Sequence, residues 1–129
     1  MGNDLFGLFE GGALRLPGKT ADFAGIPWVR HPDFAGVEMK HIVTAEDTGG
    51  AVSLHLVRVA PGKAIGSHAH KAQLEIHEVI SGSGECVHGS AEVRYEAGVV
   101  SVIRQGAPHE VRAGKDGLFL LAKFIPALR

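Results

Sequence analysis

Residues 62–82 read Gly62-Lys63-Ala64-Ile65-Gly66-Ser67-His68-Ala69-His70-Lys71-Ala72-Gln73-Leu74-Glu75-Ile76-His77-Glu78-Val79-Ile80-Ser81-Gly82. Side chains on a β-strand alternate between its two faces, so His68 and His70 point the same way and stand close enough to share one cation. Glu75 follows a short break, where a turn can bring the next strand back alongside. Two imidazoles and a carboxylate form a mixed nitrogen and oxygen set that suits zinc, iron, manganese, nickel or copper. A fourth donor has to come from elsewhere in the chain. The candidate is His109, which ends Gly98-Val99-Val100-Ser101-Val102-Ile103-Arg104-Gln105-Gly106-Ala107-Pro108-His109, an apolar strand running into a Gly/Pro turn.

Outward from this stretch, the chain reads as short strands separated by turns. Strands are expected over 37–45, 51–60, 75–80, 99–103 and 118–125, with a further strand at His68 and a hairpin joining 86–88 to 91–95 around Gly89-Ser90. Turns are expected at Asp47-Thr48-Gly49-Gly50, Pro61-Gly62, Gly82-Ser83-Gly84 and Gly114-Lys115-Asp116-Gly117. Short strands at near-regular spacing, with no long helical period, argue for an all-β sandwich or barrel. Residues 1–36 are rich in Gly and Pro and show no sustained period. Their apolar content, including Phe6, Phe9, Phe23 and Trp28, is too high for a disordered tail. They are expected to form an extended arm that packs on a barrel of residues 37–129 or on a second subunit, with Trp28 as its anchor. The strand 118–125 is apolar on both faces, so Phe119, Leu121 and Ile125 need cover from the arm or from a homodimer partner.

Composition narrows the partners. With 129 residues the chain accommodates one domain. Thirteen basic residues against 14 acidic give a formal net charge of −1, which leaves no electrostatic footprint for nucleic acid or an anionic membrane. No stretch approaches the roughly 20 apolar residues of a membrane helix. Met1-Gly2-Asn3-Asp4-Leu5-Phe6 lacks the basic start and apolar run of a signal peptide, and the single cysteine, Cys86, has no internal disulfide partner. The expected compartment is the cytoplasm.

The eight histidines are numerous for so short a chain. His77 shares parity with Glu75 and is expected to face the interior as an orienting residue or general base, with an ordinary pKa near 6.5 suited to proton transfer. The other role open to it is that of a histidine satisfied by a polar neighbour. His55 alternates with Val57 and Val59, which aims it inward, although the opposite face of its strand is apolar too. Tyr95 reads as a core tyrosine whose hydroxyl has the cavity as its other destination. Cys86 and His88 lie two apart, but without a second pair at ligand spacing they read as hairpin positions. Gln73 reads as a polar residue beside a turn, and His31 and His41 receive no role. No phosphate-cradling loop, dinucleotide fingerprint or GxSxG nucleophile turn is present in the sequence.

The two quoted stretches together resemble the two signature motifs of the cupin superfamily. Gly62, His68, His70, Glu75 and Gly82 match the first motif in full. Gly98, Gly106 and His109 match the second, with Arg104 where the family has Pro and Ala113 where it has Asn. The resemblance covers roughly residues 50–126 and implies a double-stranded β-helix, or jelly-roll, barrel. It also implies a mononuclear site in which His68, His70, Glu75 and His109 hold one divalent transition metal ion, such as iron, manganese, zinc or nickel. The activity implied is that of a metal-dependent enzyme acting on a small oxygen-bearing organic molecule, of dioxygenase or of isomerase, lyase or decarboxylase type. The alternative is a cupin that binds or senses a small molecule without turnover. One fold hosts many functions, so the resemblance leaves the substrate open.

Overall fold

Alternating burial along the strands sets the architecture in the computed structural model, which describes residues 4–129. Residues 1–3 of the expected arm lie outside the described residues. In chain order the elements are α1 (Leu5–Glu10), β1 (Ala13–Leu16), β2 (Lys19–Asp22), β3 (Val29–Arg30), β4 (Val37–Val43), α2 (Ala45–Thr48), β5 (Ser53–Val59), β6 (Ala64–His68), β7 (Leu74–His88), β8 (Ala91–Glu96), β9 (Val100–Ile103) and β10 (His109–Ile125). The fold is an all-β double-stranded β-helix with antiparallel pairing throughout.

The long strands β7 and β10 each serve two sheets. The N-terminal half of β7 and the C-terminal half of β10 pair with one another, then with β9 on one side and with β5, β4 and β3 on the other. Their remaining halves pair again, flanked by β8 and β6. Both strands break register between the halves, where Ala113 opposes Gly84 and Leu118 opposes Gly82. The turns expected at 82–84 and 114–117 are therefore not chain reversals. They are the points where two continuous strands pass from one sheet to the other, an irregularity of the kind β-bulges impose. Glycine is required there. A Cβ on Gly84 would lie 2.0 Å from the Arg112 carbonyl oxygen, and one on Gly82 would lie 2.2 Å from that of Gly117.

Two further expectations are corrected. The strand expected over 37–45 ends at Val43, and α2 replaces the turn expected at 47–50. Thr44 and Asp47 form a capping box at its N-terminus, and Gly49, at φ 65°, closes it in the left-handed conformation. Residues 4–36 are not simply extended. They contain α1, the β1–β2 hairpin and a 3₁₀ turn at Phe23–Gly25.

Two apolar clusters result. One lies between the sheets and includes Val57, Val79, Tyr95, Ile103, Val111, Leu120 and Phe124. The other, on the outer face of the first sheet, joins Phe6 and Phe23 to Ile42, Leu56 and Leu121, with Trp28 and Phe119 packed against it. Phe6 meets Phe119 at 5.0 Å between ring centroids and Trp28 at 6.0 Å. The apolar outer faces of β5 and β10 are thus covered by the chain's own N-terminal segment, and that face does not call for a second subunit; Ile125 stays 41% exposed. Trp28 donates Nε1–H to Glu10 at 2.8 Å, and the Arg58 guanidinium sits 4.0 Å from its ring centroid. Lys40 is buried and donates from Nζ to the Phe23 carbonyl at 2.6 Å. No helix among the described residues is long and apolar enough to cross a membrane.

Candidate metal centre

Strand register brings the site residues together across the two sheets. His68 closes β6 and His109 opens β10, and the two are register partners in the second sheet. Glu75 lies on the first-sheet half of β7, opposite Phe124 and Ile103. Burial alternates along β7, so Glu75, His77 and Val79 are buried while Ile76 and Glu78 are less so. The period-two reading of this strand holds.

His68, Glu75 and His109 form a group whose ligand atoms all lie within 4.8 Å of one another and which could hold a metal ion. Glu75 Oε1 and His109 Nε2 are buried, stand 3.2 Å apart and form no hydrogen bond. Buried polar atoms are ordinarily hydrogen-bonded, so two orphans facing each other call for a third party. A cation fits this arrangement. Donors about 2.1 Å from one ion and at right angles to each other are about 3 Å apart. Tautomers agree with the assignment. His68 donates Nδ1–H to the Gly66 carbonyl at 2.8 Å and His109 donates Nδ1–H to that of Ala107 at 3.0 Å, which leaves each Nε2 lone pair for the centre. His70 stands further off, with Nε2 3.8 Å from Glu75 Oε1, and is outside the group of three. Its ring packs edge-on against Phe124 at 4.9 Å.

Electrostatics favour the ligating forms. Burial lowers the pKa of His68 and of His70, so both are neutral near pH 7. Burial alone would raise the Glu75 carboxyl, but His109 and His77 hold it below the usual carboxylate range. Burial opposes the charge on His109 too, yet the neighbouring Glu75 carboxylate outweighs it and raises its pKa.

His77 is 2% exposed, and both its ring nitrogens are engaged within the protein. Glu75 is ionised and can only accept, so His77 Nε2–H donates to Oε2 at 2.6 Å. His77 Nδ1 then accepts from the Tyr95 hydroxyl at 2.8 Å, which burial pushes further toward its protonated form. Tyr95 is a core residue, as expected, and its hydroxyl is spent on His77. Cys86 Sγ lies 3.3 Å from His88 Nε2 on the β7–β8 hairpin.

The centre opens into a cavity of about 460 Å³. His31 and His41, to which the sequence reading assigned nothing, both line it, as does His55. His41 is the register partner of His55, and their Nδ1 atoms are 2.7 Å apart. The missed signal was parity, since Val37, Met39 and His41 alternate along β4 and all three line the cavity. His55 is 2% exposed, and burial, with help from His41 and Arg129, pushes its pKa down to about 4. In the unfolded chain the same ring titrates near 6.5, so between these values only the unfolded state holds the extra proton. Its stabilisation is therefore complete above pH 6.5 and is lost as pH falls toward 4, by about 3 kcal/mol in all. In EDTA, denaturant titrations at pH 7 and pH 4.5 should show His55→Gln losing about 2 kcal/mol less than wild type. Parallel losses would refute the assignment.

The family described as Cupin domain matches residues 55–121, just over half of the chain, including every residue of the centre. The chain is a cupin. A curated relative, the oxalate-binding protein of Thermotoga maritima, is 29% identical to this cupin over 91 residues, 69% of this chain and 75% of its own. Among solved structures, a predicted oxalate decarboxylase from Thermotoga maritima superposes with a TM-score of 0.72 at 26% identity, over 80% of this cupin and 95% of that chain. A deletion mutant of Bacillus subtilis oxalate decarboxylase gives a TM-score of 0.72 at 19% identity, over 83% of this cupin but 29% of that chain, a likeness of fold alone.

Proposed function

We propose that this cupin is a metal-dependent enzyme acting on a small carboxylic acid, through a dioxygenase or an isomerase, lyase or decarboxylase type of reaction. One divalent ion of iron, manganese, zinc or nickel is held by His68, Glu75 and His109, with His70 as the fourth donor. The observation that carries the reading is the pair of orphaned buried atoms, Glu75 Oε1 and His109 Nε2, 3.2 Å apart. The names of the two Thermotoga relatives supply the acid. The chemistry such an ion supplies when bound is Lewis-acid polarisation of a substrate oxygen, with one-electron redox chemistry added for iron or manganese.

The chain's own residues do the rest. The carbonyls of Gly66 and Ala107 fix the imidazole tautomers, and the Tyr95–His77 pair fixes the carboxylate. The apolar walls of Val57, Leu120 and Phe124 keep bulk water from the reacting atoms and strengthen the electrostatics there. With both nitrogens committed, His77 is a positioning residue. His77→Leu should weaken metal binding about 10- to 100-fold. His77→Gln keeps an N–H donor for Glu75 and should recover most of that loss, which competition with a chromogenic chelator will read. Equal losses in the two variants would exclude positioning through the hydrogen bond.

The relative named for oxalate binding favours a second reading, a cupin that holds its acid without turnover. Manganese- or iron-loaded protein incubated with a large excess of oxalate, and then of longer α-keto acids, separates the two. Consumption of many equivalents establishes the enzyme, whereas saturation near one equivalent establishes the binder. Neither binding nor consumption of any acid would refute both.

A further inference from the structure

The cavity has a second polar end. Away from the group of three ligands, His41, His55 and Arg129 line the same space as His68, His70 and Glu75. The Phe124 ring lies between the ends, its centroid 5.5 Å from that of His55 and 4.9 Å from that of His70. Val57, Leu120 and Leu128 add to this apolar belt. The far end is built into the fold. Leu128 N–H donates to Ser53 Oγ at 2.9 Å, and the Arg129 carbonyl accepts from Ala45 N–H at 2.6 Å, which pins the tail beside β5.

These bonds can be followed as one chain of donors. Ser53 Oγ accepts from Leu128, so its own proton is free for His55 Nε2, 2.8 Å away. His55 then donates Nδ1–H to His41 Nδ1 at 2.7 Å, and His41 carries its remaining proton on Nε2. In this direction the relay ends in an N–H on His41, and the exposed Arg129 lines the same end of the cavity. The only acidic lining residue besides Glu75, among the described residues, is Asp33. It neighbours His31, whose Nδ1 accepts from the Asp33 backbone N–H and whose ring lies tilted at 4.6 Å from Phe34, itself 6.3 Å from His68.

We infer that the acid taken by this site is longer than oxalate: a metal-chelating head, an apolar body of several carbons and a terminal carboxylate received by His41 and Arg129, with His55 positioning His41. Size agrees. A water occupies ~30 Å³, so the cavity has room for about 15 of them, and a two-carbon acid would leave most of it wet. Few polar groups converging on an apolar pocket is the pattern by which sites fix ligand orientation. The inference rests on the metal-dependent reading above.

Calorimetric titration of zinc-loaded protein with α-ketoadipate, α-ketohexanoate and oxalate tests it. The first two share head and length and differ only in the terminal carboxylate. α-Ketoadipate should bind at least about tenfold more tightly than either other acid, the contribution of one charge-assisted hydrogen bond. Arg129→Gln and His41→Leu should each cut that advantage and leave oxalate affinity unchanged. Equal binding of the two keto acids, or an advantage that survives both variants, would overturn the distal subsite while leaving the metal reading intact. Discrimination that persists after zinc removal would support the subsite and refute the metal reading. No binding of any of the three would overturn both.

Discussion

A Glu75→Ala/His109→Ala double variant is expected to fold and to take up no divalent ion, whereas wild type purified without chelator or histidine tag carries close to one equivalent by mass spectrometry. Both members of the buried pair are removed together, so neither is left as an uncompensated charge, the situation that makes single substitutions in buried pairs so costly, and the partner lost outside the pair is the acceptor of His77 Nε2–H. The Gly66 carbonyl still orients His68, but the donor set has lost its carboxylate and one imidazole. The consequence for stability is large and specific. A ligand that binds only the folded state at 100 times its dissociation constant stabilises by about 2.7 kcal/mol, which in a domain of this size raises Tm by roughly 10 °C. Wild type should show that rise on addition of zinc and the double variant should not. An equal rise in both would place the ion elsewhere and remove the basis of the proposed function.

Gly82→Ala is expected to be among the most damaging single changes in the molecule. The residue has φ +80°, which an alanine adopts only with strain, and its new Cβ would lie 2.2 Å from the Gly117 carbonyl oxygen and 2.9 Å from the carbonyl carbon. Both contacts are to backbone of the neighbouring long strand, so relief requires β7 and β10 to move apart where they change sheets. A cost above about 3 kcal/mol is expected, a large share of the 5–15 kcal/mol by which such domains are stable. Gly98→Ala serves as the control, since Gly98 has φ +96° but nothing within 4 Å of the added atom. It should lose only the conformational term, about 1 kcal/mol. Denaturant midpoints that fall equally in the two variants would show that the close crossing at Gly82 is not what the glycine is for.

The same residue shows why the fold was legible in outline and misread in detail. Gly82-Ser83-Gly84 has the composition of a turn, and local rules place one there. The positive φ is present, but pairing with Ala113 and Leu118 carries the strand through it, and only the partner strand decides that. The interval 114–117 was misread for the same reason. The faces of individual strands were legible throughout, because alternation depends on backbone geometry alone.

At the site, alternation by itself determined that His68 and His70 share a face and that Glu75 and His77 share one; that His109, three strands further along the chain, joins them was implied only by the resemblance to the cupin motifs. What the tertiary structure decided was how they meet. Register across β6 and β10 set His109 beside His68, while His70 came to rest 3.8 Å from Glu75, outside the tightest group. Pairing of β4 with β5 joined His41 to His55, a contact between residues 14 apart that no local pattern marks. Tyr95 found His77 across the interior in the same way. Alternation says which face a side chain takes. Which partner waits there depends on strand order and register, and these are set by burying the whole chain at once.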